Sequence, residues 1–207
     1  MSALRVGLTG GLACGKSTVA AWLRDAGFLV VDADQVVSEL YRPGQPGVAA
    51  VRELFGDGAI GADGAVDHAA VAARVFADPE ARHALEKAVH PLVRRRFEEI
   101  AAGAEGVVVL EATLLVEAGF APSFDLIVTV EANAMTRLRR AIERGMSEEA
   151  ARARLAAQGD GDARRCAAHR ILDNNCDLAS LRRQVDELIV ELRRLAPPSQ
   201  TPQNQTS

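Results

Sequence analysis

Short apolar runs recur along the chain, separated by longer stretches with helical spacing. The clearest are LRVGLTG (4–10), FLVVDAD (28–34), VVVLEA (107–112) and LIVTV (126–130), and HRILDN (169–174) is a weaker one. Runs that are apolar at successive positions are typical of strands buried on both faces of a parallel sheet. Their alternation with helical segments predicts an α/β fold.

Helical spacing dominates the segments between these runs. Asp67 is placed to cap one helix and Asp78 to cap a second, while His90–Pro91 predicts that the second helix ends and another begins at Pro91. This mostly helical insertion before the third run is a candidate substrate lobe. A second insertion, MTRLRRAIERGMSEEAARARLAAQG (135–159), is helical and rich in arginine.

One more amphipathic helix lies near the end of the chain. Its apolar stripe predicts core packing and comprises Leu178, Leu181, Val185, Leu188, Ile189 and Leu192. The stripe is too short for a coiled-coil seam. Residues 197–207, PPSQTPQNQTS, are polar and contain proline, so we expect a disordered tail.

Composition narrows the class of protein. A length of 207 residues suits one substantial core with a small inserted lobe, and a net charge of −4 argues against general nucleic-acid binding. No apolar run approaches the roughly 20 residues needed to cross a bilayer, and MSALRVGL does not have the pattern of a signal peptide. The three cysteines lack metal-ligand spacing, which favours a reducing, cytoplasmic location.

The most specific signal is Gly10-x4-Gly15-Lys16-Ser17, a complete phosphate-binding loop between an apolar run and a helical segment. In this pattern glycines let backbone N–H groups turn toward phosphate oxygens, and the following helix adds its N-terminal dipole. Lys16 can reach the β and γ phosphates, and the Ser17 hydroxyl can ligate Mg²⁺. A glycine-rich turn without a ligand is the alternative, and the flanking strand and helix argue against it.

The loop alone does not separate kinases from GTPases, ATPase motors or nucleotide sensors. The chain contains no DxxG segment, NNCD (174–177) is not NKxD, and LSGGQ is absent. These absences argue against GTPases and ABC-type ATPases, and the length is that of a small-molecule kinase.

Two carboxylates, Asp32 and Asp34, follow the second apolar run. Ligands of open parallel sheets lie beyond the carboxyl ends of the strands, so these carboxylates face the phosphate loop if the second strand lies near the first. Asp34 could then accept the proton of an attacking hydroxyl group. The alternative is that Asp34 only caps the next helix.

Other charged residues have two interpretations each. By spacing, Arg137, Arg140 and Arg144 share one helix face, from which an arginine could close over a transferred phosphoryl group or simply be solvated. Glu111 could hold a Mg²⁺-bound water or be an ordinary loop acid. Cys14 lies at a helix N-terminus, and we expect a small residue that fits the loop there rather than a redox sensor.

Together these segments resemble the dephospho-CoA kinases. LTGGLACGKSTVA, VVDAD, RPGQPG, LFG, RVFADPE, HPL, LLVE, the arginine pair 140 and 144, and AAQ…ILDNN occur in the order found in that family. The resemblance extends from about Leu4 to Leu195. TGG before the loop, DAD after the second run and LLVE are specific as a combination.

The resemblance implies a P-loop kinase fold with a five-stranded parallel sheet, a helical CoA-binding lobe and a mobile lid. The implied reaction transfers the γ-phosphoryl group of ATP to the ribose 3′-hydroxyl of dephospho-CoA, with Mg²⁺ as cofactor. A monomer or weak homo-oligomer without nucleic-acid or membrane partners is expected. The implied parts are a core at 1–34, 106–136 and 166–196, a CoA-binding lobe at 35–105 and a lid at 137–165.

The resemblance also implies residue roles. Catalytic roles fall to Asp34 as general base, Lys16 and Arg140. Metal binding falls to Ser17, and Glu111 is the further metal candidate from its position at the end of the third run. Acceptor binding falls to Asp34, His90, Leu115 and Glu117. ATP binding falls to Gly10, Ala13, Cys14, Gly15, Lys16, Ser17, Thr18, Arg144 and Asn174.

The chain departs from the family pattern at three positions. Thr113 replaces the usual proline before LLVE, His169 replaces an aspartate before the last strand, and Cys14 replaces serine or glycine. None of these removes a group that the chemistry needs. Shikimate-type and nucleoside-monophosphate-type kinases remain alternatives, as does a non-catalytic nucleotide-binding regulator, which would need Lys16 but not Asp34.

Overall fold

The structure is a computed structural model that describes residues 3–197. Its strands are β1 (Leu4–Thr9), β2 (Leu29–Asp32), β3 (Val107–Glu111), β4 (Leu126–Glu131) and β5 (Arg170–Asp173). Its α-helices are α1 (Lys16–Asp25), α2 (Ala33–Leu40), α3 (Pro46–Phe55), α4 (His68–Ala77), α5 (Pro79–Ala102), α6 (Ala134–Glu143), α7 (Glu148–Ala157), α8 (Asp162–Ala167) and α9 (Leu178–Leu195). The segment predicted as a tail lies outside the described residues, apart from Pro197.

The strands form one five-stranded sheet in the order β2-β3-β1-β4-β5. The central strand β1 is parallel to both neighbours, and its Val6 lies opposite Val109 of β3 and Leu126 of β4. Strand β3 is buried along its whole length, as a run that is apolar on both faces predicts. The predicted α/β fold with a five-stranded parallel sheet is confirmed. The order places β3 between β1 and β2, so the strand that precedes Asp34 is not the direct neighbour of β1.

Helices α1 and α9 contribute to the core beside the sheet. Val19 and Leu23 of α1 belong to the same buried cluster as Leu181 and Val185 of α9 and the sheet residues around them. The stripe predicted for α9 is confirmed as core packing from Leu181 onward. Leu178, in the first turn, is instead 60% exposed.

Both predicted helix caps are confirmed. The Asp67 carboxylate accepts hydrogen bonds from the backbone N–H groups of Ala69 and Ala70 at the start of α4. The Asp78 carboxylate accepts one from the Glu80 N–H at 2.9 Å, directly before α5. Each carboxylate satisfies N–H groups that the first turn of a helix leaves unpaired.

The break predicted at His90–Pro91 is wrong, because α5 runs from Pro79 to Ala102 with Pro91 inside it. A proline in a helix interior costs about 3 kcal/mol. The uninterrupted helix buries Val89, Val93 and Phe97, which are four residues apart and therefore lie on one face. Burial of side chains of this size contributes about 1.5–3 kcal/mol each, which outweighs the cost of the proline.

The chain divides into two compact units, Met1–Val30 with Ala101–Ser207, and Val31–Ile100. The first contains the sheet apart from the end of β2, together with α1 and α6–α9. The second is helical and contains α2, α3, α4 and most of α5. Within residues 3–197 no helix combines the length and apolar character needed to span a membrane.

Candidate active site

The phosphate loop joins β1 to α1 in a conformation that its small residues permit. Gly10 and Gly15 have φ angles of 154° and 104°, and Ala13 has a left-handed φ of 56°. A Cβ at Gly10 would lie 2.6 Å from the carbonyl oxygen of Val130, so a side chain does not fit there. These conformations explain why glycine recurs in the loop.

Cys14 fills space beneath the loop. Its side chain is 1% exposed, and burial raises the pKa of the thiol despite the nearby Lys16. A neutral buried thiol is a poor nucleophile and a poor redox sensor. The geometry therefore supports Cys14 as a small packing residue.

Lys16 begins α1 and pairs with a buried acid at the end of β3. Its Nζ donates a hydrogen bond to Oε1 of Glu111 at 2.8 Å, and Nη2 of Arg24 lies 3.5 Å from Glu111 Oε2. Glu111 is only 4% exposed, so two cations compensate a carboxylate that has lost most of its hydration. Sequence reasoning found Glu111 but not its pairing with Lys16.

Ser17 lies in the first turn of α1 and is exposed, which leaves its hydroxyl open to a ligand. Within residues 3–197, no cluster of three or more His, Cys, Asp or Glu side chains could hold a metal ion. A metal ion at this loop would therefore need oxygen ligands from the nucleotide as well as from Ser17 or Glu111. This is the usual way in which Mg²⁺ binds at sites for phosphates.

Arg137 is not a free arginine facing solvent. It is 5% exposed, its Nε donates to the carbonyl oxygen of Leu12 at 2.9 Å, and its Nη2 donates to Oε1 of Gln158 at 2.7 Å. The same Gln158 oxygen accepts from the Leu12 N–H at 2.8 Å. Sequence reasoning missed Gln158, because nothing in its local pattern connects it to a residue 146 positions away.

Arg140, Arg144 and Asn174 line one cavity beside the loop. The cavity has a volume of about 230 Å³ and is lined by Gly15, Thr18, Arg140, Glu143, Arg144, Asn174 and Leu178. Nη1 of Arg140 is buried and has no hydrogen-bond acceptor among the described residues. Arg144, at the end of α6, is exposed. Two guanidinium groups therefore face a cavity that the phosphate loop also lines.

Asn174 contacts the phosphate loop directly. Its Nδ2 donates to the carbonyl oxygen of Cys14 at 2.7 Å, and its Oδ1 accepts from Nη2 of Arg140 at 3.4 Å. A Cβ at Gly15 would collide with the Asn174 amide. The side chain is 5% exposed, so it supports the loop and holds Arg140 at the wall of the cavity.

In the helical unit, Asp32 and Asp34 are in different environments. The Asp32 carboxylate caps α2 by accepting from the N–H groups of Asp34 at 2.8 Å and Gln35 at 3.4 Å. Asp34 is exposed, and its carboxylate accepts no hydrogen bond from another described residue. The alternative in which Asp34 only caps the helix is wrong, since Asp32 is the cap.

Residues implied in acceptor binding are partly structural. His90 lies within α5, and burial lowers the pKa of its imidazole although Glu86 opposes this effect. Leu115 is fully buried, with Cδ1 2.8 Å from where a Gly7 Cβ would be, so the acceptor-binding prediction can hold only for its backbone. Glu117 accepts a hydrogen bond from Arg164, which is completely buried and which sequence reasoning missed.

Two of the departures from the family pattern take part in ordinary backbone contacts. The carbonyl oxygen of Thr113 accepts a hydrogen bond from the Thr9 hydroxyl at 3.2 Å. His169 accepts through Nδ1 from the Ile127 N–H at 3.1 Å and donates its own N–H to the Ile127 carbonyl at 2.8 Å. These bonds tie the two residues to β1 and β4.

A further cavity lies within the helical unit. It has a volume of about 530 Å³ and is lined by Glu39, Leu40, Arg42, Gln45, Pro46, Leu92, Arg95, Arg96 and Glu99. Three of these side chains are arginines and two are glutamates. The cavity therefore combines apolar surface with a small excess of positive charge.

Comparison with known proteins identifies the family. A family model described as dephospho-CoA kinase matches residues 4–180. A dephospho-CoA kinase of Streptomyces avermitilis is 43% identical over 192 residues, covering 91% of this chain and 94% of the relative. One of Mycolicibacterium paratuberculosis is 48% identical over 181 residues, covering 86% of this chain but 44% of that longer protein.

A solved structure shares the fold over nearly the whole chain. A crystal structure of a Thermus thermophilus protein superposes with a TM-score of 0.78 at 35% identity, covering 93% of this chain and 99% of that one. The family match takes in the phosphate loop, the Asp32–Asp34 segment, the arginines of α6 and Asn174. The chain belongs to the dephospho-CoA kinase family.

Proposed function

We propose that the chain transfers the γ-phosphoryl group of ATP to the ribose 3′-hydroxyl of dephospho-CoA and so forms coenzyme A. The observation that carries the proposal is the phosphate loop, whose left-handed residues lead directly into Lys16 at the start of α1. Family membership supports the acceptor. A cytoplasmic location and a monomer or weak homo-oligomer remain predictions from the sequence.

Lys16 and Ser17 bind the phosphates in this proposal. Lys16 is held by Glu111 at 2.8 Å and can also donate to phosphate oxygens, because an ammonium group has three donors. Mg²⁺, when bound, neutralises charge between the β and γ phosphates. Ser17 would ligate it, with Glu111 orienting a water molecule in its coordination shell.

Arg140 and Arg144 act on the transferred group. They lie one helical turn apart at the cavity beside Gly15, and phosphoryl transfer spreads negative charge over three equatorial oxygens. The unpaired Nη1 of Arg140 supports this role, because a buried donor without a protein acceptor is available to an anion. Asn174 would contribute by holding Arg140 and the loop.

Asp34 is the general base. Its carboxylate is exposed and carries no capping bond, so its lone pairs are open to the proton of the 3′-hydroxyl. As the hydroxyl oxygen bonds to the γ-phosphorus, the proton passes to Asp34 and the bond to the β–γ bridging oxygen breaks, leaving ADP.

The helical unit binds the acceptor. Its cavity of about 530 Å³ supports this proposal, since arginines in the lining suit a diphosphate and the apolar side chains suit a pantetheine arm. His90 and Glu117 are further candidates for acceptor contacts. The lobe at 35–105 and the lid at 137–165 remain proposals for the functional parts of the chain.

A panel of acceptors tests the proposal. Purified protein with Mg-ATP is incubated with dephospho-CoA, shikimate, nucleoside monophosphates or no acceptor, and the product and ADP are quantified by mass spectrometry. We expect coenzyme A and ADP in equal amounts with dephospho-CoA alone. Consumption of ATP with another acceptor, or binding of ATP without any transfer, would favour the alternative kinases or the regulator.

A lysine pair provides the matched control. Lys16→Ala should abolish transfer, because a point charge at the β–γ phosphates is lost. Lys87→Ala changes the only other lysine, which is exposed on α5, and should leave turnover unchanged. Parental turnover of Lys16→Ala would remove the phosphate loop from the mechanism.

A further inference from the structure

A single residue of the phosphate loop, Leu12, is held by two side chains from distant parts of the chain. Its carbonyl oxygen accepts from Nε of Arg137, and its N–H donates to Oε1 of Gln158. Nη2 of Arg137 donates to the same Gln158 oxygen, so each of the three residues is hydrogen-bonded to the other two. We call these three residues the Leu12 clamp.

The clamp is buried and sterically specific. Arg137 is 5% exposed, and its guanidinium lies so close to Gly11 that any side chain at that position would collide with it. The planar guanidinium presents donors in a fixed arrangement that a lysine ammonium cannot reproduce. Both backbone groups of Leu12 are therefore held at fixed positions, directly before Ala13 with its left-handed φ of 56°.

The two clamping side chains come from the helical pair that carries the arginines. Arg137 lies in the first turns of α6, three residues before Arg140, and Gln158 is the C-cap residue of α7. Helices α6 and α7 pack against each other, with Ala141 and Ala151 in one small buried cluster that also contains Ala13. The start of α6 and the end of α7 are thus both attached to the phosphate loop.

We propose that Arg137 and Gln158 are positioning residues, which hold the phosphate loop in its nucleotide-binding conformation and keep α6 in register with it. Neither residue needs to contact the nucleotide for this role. Release of Leu12 would let residues 11–13 relax and would shift Arg140 relative to the loop. The inference rests on the proposed nucleotide site. It gives Gln158 and Arg137, which by spacing alone was one of three arginines considered for contact with the phosphoryl group, a role that needs no such contact.

A purely structural role of the Leu12 clamp predicts different properties for its variants. If the clamp only stabilised the fold, its loss would lower the melting temperature while the folded fraction bound nucleotide with parental affinity. If it positions the loop, the affinity for Mg-ATP falls even at a temperature where the variant is fully folded. The affinity for the acceptor is unaffected in either case, since the acceptor is assigned to other residues.

Matched variants separate these outcomes. Arg137→Met removes both donors with similar side-chain length. Arg139→Met changes an exposed arginine on the same helix, which pairs with Glu143 at 3.9 Å. Gln158→Leu removes the acceptor, whereas Gln158→Glu keeps an oxygen for both donors. Gln158→Asn, which withdraws the oxygen by one methylene, provides a milder change if a larger one prevents folding.

The measurements are the melting temperature, the Kd for Mg-ATP by calorimetry, and kcat with separate KM values for ATP and dephospho-CoA. We expect Arg137→Met and Gln158→Leu to weaken Mg-ATP binding about tenfold or more and to lower kcat, since small misplacements of a phosphate site are costly. Gln158→Asn should weaken it less, and Gln158→Glu and Arg139→Met should match the parent.

Three results would overturn the inference. One is parental Mg-ATP affinity in folded Gln158→Leu or Gln158→Asn, another is an equal loss in Gln158→Glu, and the third is a rise in the acceptor KM alone. Lys16→Ala keeps the two proposals distinguishable. If Lys16→Ala does not reduce turnover, the proposed nucleotide site is wrong. If Lys16→Ala is inactive while the clamp variants behave like the parent, only the clamp proposal is wrong.

Discussion

Asp32 and Asp34 allow the helix cap and the general base to be separated by substitution, although they are two residues apart. Asp32 caps α2 through hydrogen bonds of 2.8 and 3.4 Å, whereas the Asp34 carboxylate makes no capping bond. Asp32→Ala should therefore lower stability and leave the chemistry largely intact. Asp34→Asn should leave stability intact and remove the group that takes the proton.

The magnitudes differ enough to be decisive. Loss of a helix cap costs about 0.5–2 kcal/mol. In a chain of this size, each kcal/mol of lost stability lowers the melting temperature by about 2–4 °C. Substitution of the exposed Asp34 should change stability by less than about 0.5 kcal/mol. Loss of a general base lowers the rate by about 10²–10⁴-fold, equivalent to about 3–5 kcal/mol in the barrier.

The assay measures coenzyme A formed from dephospho-CoA and Mg-ATP, with melting temperature and ATP affinity determined on the same preparations. Asp32→Asn is the control, because asparagine caps helices as well as aspartate does. An Asp34→Asn variant that forms coenzyme A at the parental rate would refute the base assignment. A loss of ATP affinity equal to the loss of rate would refute a role confined to proton transfer.

Three further predictions concern buried charges. Glu111→Gln should lower kcat and raise the Mg²⁺ concentration needed for half-maximal activity. It removes the negative charge that holds Lys16 and that would orient a metal-bound water molecule. An unchanged Mg²⁺ titration would show that Glu111 is only a structural partner of Lys16. Glu117→Met should destabilise the protein by about 1–3 kcal/mol in urea unfolding, and by more than Arg164→Met does. It removes the hydrogen-bond acceptor of a fully buried cation, whose contact with Glu131 is longer at 3.9 Å, whereas Glu117 is 32% exposed and can be solvated; equal midpoints would contradict this. Burial lowers the pKa of His90, so the unfolded chain binds its proton at a higher pH than the folded chain does, and stability should fall as pH drops below about 6.5. His90→Gln should flatten that part of the pH profile, and an unchanged slope would exclude His90 as its source.

Local sequence patterns were enough to predict the strands, two helix starts and the phosphate loop. The apolar runs marked all five strands, and burial on both faces explains this best for β3 and β4, which are buried along all or nearly all of their length. The weak run forms the edge strand β5, in which three of the four residues are exposed. Asp67 and Asp78 marked two helix starts for an equally local reason, since a cap bonds to N–H groups two or three residues away. The phosphate loop was readable because its glycines, lysine and serine act within one turn of chain.

The order of the strands and the partners of the site residues needed the tertiary structure. The order β2-β3-β1-β4-β5 depends on how whole segments cover the sheet, and no local pattern encodes it. Pro91 predicted a break by its own backbone preference, but the burial of Val89, Val93 and Phe97 over a longer helix prevailed.

The clearest difference lies in the arginines of α6. Their spacing placed Arg137, Arg140 and Arg144 on one face, which is a local property of any helix. Only the fold assigned Arg137 to Leu12 and Gln158, and left a nitrogen of Arg140 without an acceptor among the described residues. The sequence by itself thus determined which chemical groups the site contains, because they lie in short motifs. Tertiary structure decided which of these groups are held by hydrogen bonds to other parts of the chain, because partners 125 and 146 residues apart meet only when the chain has folded.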